Sequence, residues 1–225
     1  MKKITVLLAE DHQIVREGFR CLLRHERDIE VIGEAETGRQ AVQLTRKLRP
    51  AVVVMDIAMP SLNGLEATRQ IRKNCPDTRV LILSAHSDDA YVEQVAGLGA
   101  SGFLLKQISS QVLAKAIREV QNGGTFFSPS IFKRVRAREQ KALDRVGTFK
   151  KKRNCLSSRE VEVLQLIAEG KPNKQVAVEL GLRFKTVDKH RQNVMSKLDI
   201  HDIAGLTRYA IAQGIVESAV RRTVA

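Results

Sequence analysis

The chain has 225 residues, 43% apolar and 28% charged, which suits a water-soluble protein long enough for two domains with separate cores. Its net charge of +13 is uneven: residues 1–122 carry 17 Lys and Arg against 15 Asp and Glu, and the remainder carries 21 against 10. No apolar run approaches the ~20 residues of a membrane helix, and the start, Met1-Lys2-Lys3 before a short apolar stretch and Glu10-Asp11, is too brief for a signal peptide.

Residues 4–9 read as a strand centred on Val6-Leu7-Leu8 and ending at Glu10-Asp11. A helix follows, with Val15, Phe19, Leu22 and Leu23 as its apolar stripe. Residues 29–35 form a second strand, and Thr37-Gly38 opens a helix carrying Ala41, Val42, Leu44 and Leu48, stopped by Pro50. The run Ala51-Val52-Val53-Val54-Met55 is β-branched and apolar, as in a strand buried on both faces, and it ends on Asp56. Met59-Pro60 and Asn63-Gly64 break the pattern as a loop before a helix at 65–73. A strand at 80–84 ends on Ser84, a helix spans about 89–98, and Gly102-Phe103-Leu104-Leu105-Lys106 is a fifth strand. Val112, Leu113, Ala116, Ile117 and Val120 mark the stripe of a last helix, closed by Gly123-Gly124.

Five strand–helix alternations imply an α/β fold, a five-stranded doubly wound parallel sheet. All strand carboxyl ends then lie along one edge, where ligands and chemistry collect in such sheets. That edge gathers Glu10, Asp11, Asp56, Ser84 and Lys106. Three carboxylates together repel one another unless a hard cation sits among them, and Mg²⁺ suits a few carboxylate oxygens with water and phosphate oxygens. An Asp beside such a cation can attack a phosphoryl group. Lys106 can pair with the incoming oxygens and Ser84 can hydrogen-bond to them.

Residues 125–154 hold few apolar features and many bases, among them Lys133-Arg134 and the run 150–153, and read as a basic tether. Ser128-Pro129 is a helix start within it, with Ile131, Phe132 and Val135 as the apolar side. Ser157-Ser158-Arg159-Glu160 is a capping box, and the helix behind it is expected to bury Val161, Leu164, Ile167 and Ala168. Pro172-Asn173 starts a short helix, with Val176, Ala177 and Leu180 inside and Gly181 at its end. A third helix spans about 185–198. Two short helices joined by a Gly-containing turn are a helix-turn-helix, whose second helix enters the major groove of DNA. At ~100° per residue, Val187, Val194 and Leu198 face the core, and Lys185, Asp188, Lys189, Gln192 and Ser196 face outward. Lys185 and Lys189 can reach phosphates or base edges and Gln192 can pair with adenine. Cys21, Cys75 and Cys155 are odd in number and widely spaced, as in reduced, cytoplasmic proteins, and the five histidines show no metal-ligand spacing.

Residues 1–122 resemble the receiver domain of bacterial two-component response regulators. The matching positions are Glu10-Asp11, Asp56-Ile57-Ala58-Met59-Pro60 with Asn63-Gly64, Ser84-Ala85-His86 and Gly102-Phe103-Leu104-Leu105-Lys106. Residues 155–216 resemble the LuxR-type helix-turn-helix domain. The matching runs are Leu156 to Leu164, Glu169-Gly170, Asn173-Lys174, Lys185-Thr186-Val187 and His190-Arg191. Together they resemble a NarL/FixJ-type regulator: a flavodoxin-like receiver at 1–122, a basic linker at 123–150 and an all-α domain at 151–217, with the helix-turn-helix at about 173–192.

The resemblance implies Asp56 as phospho-acceptor from a sensor histidine kinase, with Glu10, Asp11, Asp56 and the Ala58 carbonyl holding Mg²⁺. It implies Ser84 and Phe103 as the pair that reorients, with Lys106 beside them. It adds Lys174, Thr186, Arg191 and Asn193 to the candidate contacts with double-stranded DNA. It further implies a homodimer when phosphorylated, the last helix (Ile203, Leu206, Tyr209, Ala210) forming the contact, and a receiver that masks the DNA-binding head until modified. Ser84 stands where Thr is common and Phe103 where Tyr is common; Ala58 leaves the site open on its side. Arg183 replaces a capping Ser or Thr, and Asp188 stands where Lys is frequent. An enzyme turning over an aspartyl phosphate is the alternative, but it needs a second Asp where Ala58 stands. A phosphate-independent interaction module is a second alternative, and it leaves the acidic pair, Ser84 and Lys106 without a purpose.

Overall fold

The computed structural model describes residues 3–85, 95, 97–127 and 156–216. The chain divides into two compact units, residues 1–149 and 150–225.

The first unit is built on β1 (Ile4–Ala9), β2 (Ile29–Ala35), β3 (Val52–Asp56), β4 (Arg79–Ser84), β5 (Gly102–Leu105) and β6 (Phe126–Phe127). They form one parallel sheet in the order β2-β1-β3-β4-β5-β6. Strand alternation splits the core in two. Leu7, Val53, Met55, Val80, Ile82 and Phe103 belong to one buried cluster, and Val6, Leu8, Val52, Val54, Leu81 and Leu83 to the other. Helices α2 (Gly38–Leu48) and α3 (Gly64–Asn74) contribute to the first, and α1 (Gln13–Arg24) and α4 (Ser110–Gln121) to the second. Every residue of β3 is buried, as its apolar run requires.

The sheet of the described residues has six strands where five were expected. The sixth is only two residues long, too short to show a period, and falls in the stretch read as tether. Phe126 N–H donates to Ser101 O at 3.0 Å, and Phe126 and Phe127 pair with Gly102 and Phe103. Gly102 makes this approach possible, since a Cβ there would lie 2.6 Å from Phe126 O.

Two apolar stripes are narrower than expected. Leu22 and Val112 are 38% and 36% exposed. The buried side of α1 instead includes Arg16, which pairs with Glu34 and Glu36 at 3.2 and 2.8 Å and donates to Glu10 O at 2.7 Å. In the helix expected at 89–98, Val95, Gly97 and Leu98 are described and helical. His86, the helix start at Ser128-Pro129, the basic run 150–153 and Cys155 lie outside the described residues.

The second unit consists of α5 (Ser158–Ala168), α6 (Asn173–Leu180), α7 (Phe184–Leu198) and α8 (Ile203–Ala212). The capping box is complete, with Ser157 N–H donating to Glu160 Oε2 at 2.7 Å and Glu160 N–H to Ser157 Oγ at 3.4 Å. Burial alone would push the Glu160 carboxyl up, but Lys197 at 2.7 Å and Ser157 hold it below its usual range. Helix α5 packs against both α7 and α8, so its buried side is wide. Val163, Leu164, Leu166 and Ile167 are buried there, and Val161 and Ala168 are only partly covered. Gly181 ends α6 at φ 62°, a left-handed conformation that glycine adopts without Cβ strain. Arg183 begins α7 without a side-chain cap. Among the described residues no helix is long and apolar enough to cross a membrane.

Candidate functional site

Because every strand runs the same way, the ends of β1, β3, β4 and β5 meet on one edge of the sheet. Glu10 follows β1, Asp56 ends β3, Ser84 ends β4 and Lys106 follows β5. Gly64 holds the loop against Asp56: its N–H donates to Ile57 O at 2.8 Å, and a Cβ there would lie 1.8 Å from Asp56 O. The following helix is capped by Asn63, whose side chain accepts from Glu66 N–H at 2.8 Å.

Lys106 reaches Glu10, 96 positions away in sequence, and Asp56. Its Nζ lies 2.8 Å from Glu10 Oε2 and 3.0 Å from Asp56 Oδ1, and it donates to Glu10 Oε1 at 3.0 Å. Glu10 and Asp56 are each 2% exposed. The other Asp56 oxygen, Oδ2, is buried with no hydrogen-bond partner among the described residues. Burial, then the charge of Glu10, pushes the Asp56 carboxyl up to about 6, with Lys106 opposing. Burial depresses the Lys106 ammonium, but Asp56 and Glu10 outweigh it and leave its pKa raised. Two carboxylates and one ammonium leave the cluster short of positive charge.

Glu10, Asp11 and His12 each offer a ligand atom within 4.8 Å of the others. His12 was not among the residues expected from sequence; its adjacency to the acidic pair was the only available signal. Its Nδ1 lies 2.8 Å from Asp11 Oδ1 and 3.1 Å from Glu10 Oε1, and chiefly Asp11 raises its pKa. Ser84 is buried beside the cluster at the end of β4, where Lys106 N–H donates to Ser84 O at 2.8 Å. Phe103 is wholly buried within the sheet core, and Ala58 is partly exposed in the loop.

The raised Asp56 pKa has a consequence for stability. An ionised Asp56 opposes folding, so its favourable contribution is complete below the unfolded value of 3.8 and is lost as pH rises through about 6. Asp56→Asn removes that opposition. In metal-free buffer at about pH 8 the variant should be more stable than wild type, by an amount on the order of 1–3 kcal/mol. The difference should vanish below about pH 4, and thermal melts across this range check it. A variant no more stable at the higher pH contradicts the proposed origin of the shift.

On the second unit, Lys174, Lys185, Lys189, Gln192 and Asn193 are exposed, and Thr186 and Arg191 are half-buried. Val187 and Val194 fill the core, so α7 has the expected inner and outer faces. Its outer face also carries hydrogen bonds that the sequence did not disclose, linking Asp188, Gln192, Asn173 and Arg191 at 3.1–3.3 Å. On α8, Leu206 and Ala210 are buried in this unit's own core, and Ile203 is half exposed.

Residues 6–118 match the family described as response regulator receiver domain, and residues 154–210 match bacterial regulatory proteins, luxR family. The chain is 35% identical to the transcriptional regulatory protein DegU of Brevibacillus brevis, covering 96% of each chain. It is 39% identical to the transcriptional regulatory protein LiaR of Bacillus subtilis, covering 92% of this chain and 96% of the relative. Among solved structures it is similar to RcsB of Salmonella typhimurium, at 27% identity and a TM-score of 0.59, over 95% of this chain and 99% of that one. RcsB of Salmonella enterica serovar Typhimurium bound to promoter rprA, in the presence of phosphomimetic BeF3-, aligns at 26% identity and a TM-score of 0.56, over 92% and 98%.

Proposed function

The chain belongs to the two-component response regulators of the NarL/FixJ type, with a receiver domain and a LuxR-type helix-turn-helix domain, and from that premise we propose how its residues divide the work. As a member of that family it is a DNA-binding regulator and not a classical enzyme. Residues 1–122 form a flavodoxin-like receiver, 123–150 a basic linker and 151–217 the DNA-binding head. Asp56 accepts a phosphoryl group from a sensor histidine kinase, and this controls dimerisation and binding to double-stranded DNA. The setting is the cytoplasm.

The observation that supports Asp56 best is its place in the cluster: buried, tied to Lys106 through one oxygen and, among the described residues, without a hydrogen-bond partner at the other. An Asp56 oxygen forms a bond to phosphorus as the bond from phosphorus to the donor imidazole nitrogen breaks. Lys106 neutralises the incoming oxygens, and the Ser84 hydroxyl donates to them. Glu10 and Asp11 offer oxygens within 4.8 Å of each other, and with Asp56, which shares Lys106 with Glu10, they form an acid-rich set that suits a hard divalent cation. Together with the Ala58 carbonyl they would hold Mg²⁺. When bound, Mg²⁺ supplies positive charge against the phosphoryl oxygens. Movement of Ser84 toward the new oxygens, with Phe103 repacking beside it, changes the receiver surface used for dimerisation.

Incubation of the full chain with a phosphoryl donor and Mg²⁺, followed by intact mass, tests the reading. One stable equivalent of label supports it. Turnover of many equivalents indicates an aspartyl-phosphate enzyme, and absence of label an interaction module.

In the head, Lys174, Lys185, Thr186, Lys189, Arg191, Gln192 and Asn193 are the proposed DNA contacts. Lys189→Ala should weaken binding. A phosphate contact should cost affinity nearly equally on all sequences and lower the salt slope by ~1. A base contact should relax preference at one position, at a cost of ~1–3 kcal/mol. Unchanged affinity and unchanged preference would place the helix in another orientation on DNA.

A further inference from the structure

Helix α7 carries a single acid, Asp188, amid the bases of its outer face. Gln192 Nε2 donates to Asp188 Oδ2 at 3.1 Å, and Asn173 Nδ2 donates to Asp188 Oδ1 at 3.3 Å. Arg191 Nη1 in turn donates to Asn173 Oδ1 at 3.2 Å. Both oxygens of the carboxylate are thus used, one by each amide.

The directions of these bonds are fixed by chemistry. An ionised carboxylate only accepts, so both amides must turn nitrogen toward Asp188. A guanidinium only donates, so Asn173 must turn its oxygen toward Arg191. The two requirements on Asn173 agree. For Gln192 the consequence is that Oε1 and the second N–H remain for another molecule, on an exposed side chain.

An acceptor beside a donor is the complement of one major-groove edge in particular. Adenine presents its N6 amine as donor and N7 as acceptor. Guanine presents two acceptors there, thymine an acceptor and a methyl group, and cytosine a lone amine. The negative charge of Asp188 adds to the discrimination, since it disfavours guanine O6 and thymine O4 and favours an amine.

We propose that Asp188 is a positioning residue that holds the Gln192 carboxamide in the orientation that reads adenine. The acid thereby gives up a phosphate contact at its own position in exchange for base selectivity one turn further along the helix. This rests on the reading of α7 as the helix that enters the major groove.

The test uses the full chain as wild type, Asp188→Asn and Gln192→Ala, each selecting duplexes from a random library. Thermal melts confirm that the variants are folded, and Asp188→Ser replaces the Asn variant if that one is not. Binding is then measured on the selected duplex with the preferred adenine replaced by 2-aminopurine, which lacks the N6 amine, or by 7-deaza-adenine, which lacks N7. Wild type should select adenine at one position and lose about tenfold in affinity with either analogue. Gln192→Ala should show neither the preference nor the loss. Asp188→Asn should bind random duplex at least as tightly as wild type, yet lose less than about threefold with the analogues. A merely structural role for Asp188 leaves the base preference in place, so a variant with the wild-type motif and the wild-type analogue penalty overturns the proposal. Selection of guanine or thymine at the position sensitive to Gln192 also overturns it. A wild-type chain that selects no motif at all removes the DNA-reading premise itself, and is told apart by affecting every duplex alike.

Discussion

Asp56→Asn is expected to abolish labelling by a phosphoryl donor while leaving the receiver folded. The substitution keeps the shape and the chance of a hydrogen bond with Lys106, and removes the nucleophilic carboxylate. The other two acids at this edge differ from it: Glu10 is as buried but is engaged by Lys106 through both oxygens and lies beside His12, and Asp11 is more exposed and lies against His12. Label that persists at the same stoichiometry would show that Asp56 is not the acceptor. The companion variant, Glu10→Gln with Asp11→Asn, should keep the acceptor but weaken Mg²⁺ binding and slow transfer. Calorimetric titration with Mg²⁺ separates the two effects, and unchanged metal affinity would count against the proposed ligand set.

The parts of this site that were legible in sequence share a physical character. Val52–Asp56 is an unbroken apolar run ending on a charge, which is hard to place anywhere except in a central strand. Ser157 with Glu160, and Gly181 after Leu180, are local signals whose partners lie three or four residues away. What escaped depends on distant partners. Arg16 enters the buried side of α1 because Glu34 and Glu36, on a neighbouring strand and the turn after it, neutralise it. Without them a periodicity argument gives its place to Leu22. Phe126-Phe127 becomes a strand only because Gly102 lets the edge of β5 approach. Val163 and Leu166 are buried because α5 sits between two helices, and no stripe one face wide can express that. The Asp188 bonds bridge α6 and α7, and a helical wheel of α7 alone places Asp188 as a free outward charge.

The second large effect concerns the isolated head. Residues 150–225 form a compact unit with a buried cluster of its own, including Leu164, Val176, Val187, Val194 and Leu206. A fragment of that span is expected to fold and to bind a selected duplex without phosphorylation, more tightly than the intact unmodified protein. The resemblance implies a receiver that masks the head until modified, and the expectation rests on that proposal. Phosphorylation should close most of the gap, because it stabilises the exposed state over the masked one. The comparison needs one duplex, fixed salt and concentrations that span dimerisation, since counterion release alone shifts such affinities by orders of magnitude. A fragment that binds no better than the unmodified chain would contradict masking. If phosphorylation then strengthens binding only where it also drives dimerisation, the receiver acts by bringing two heads together.

If a phosphoryl group on Asp56 controls what the head does on DNA, one titration will show it. Full-length wild type and Asp56→Asn are each titrated onto the same selected duplex, with Mg²⁺ present and with or without a phosphoryl donor. The donor should tighten binding by wild type and leave binding by Asp56→Asn unchanged. Equal tightening of both proteins, or of neither, would contradict it.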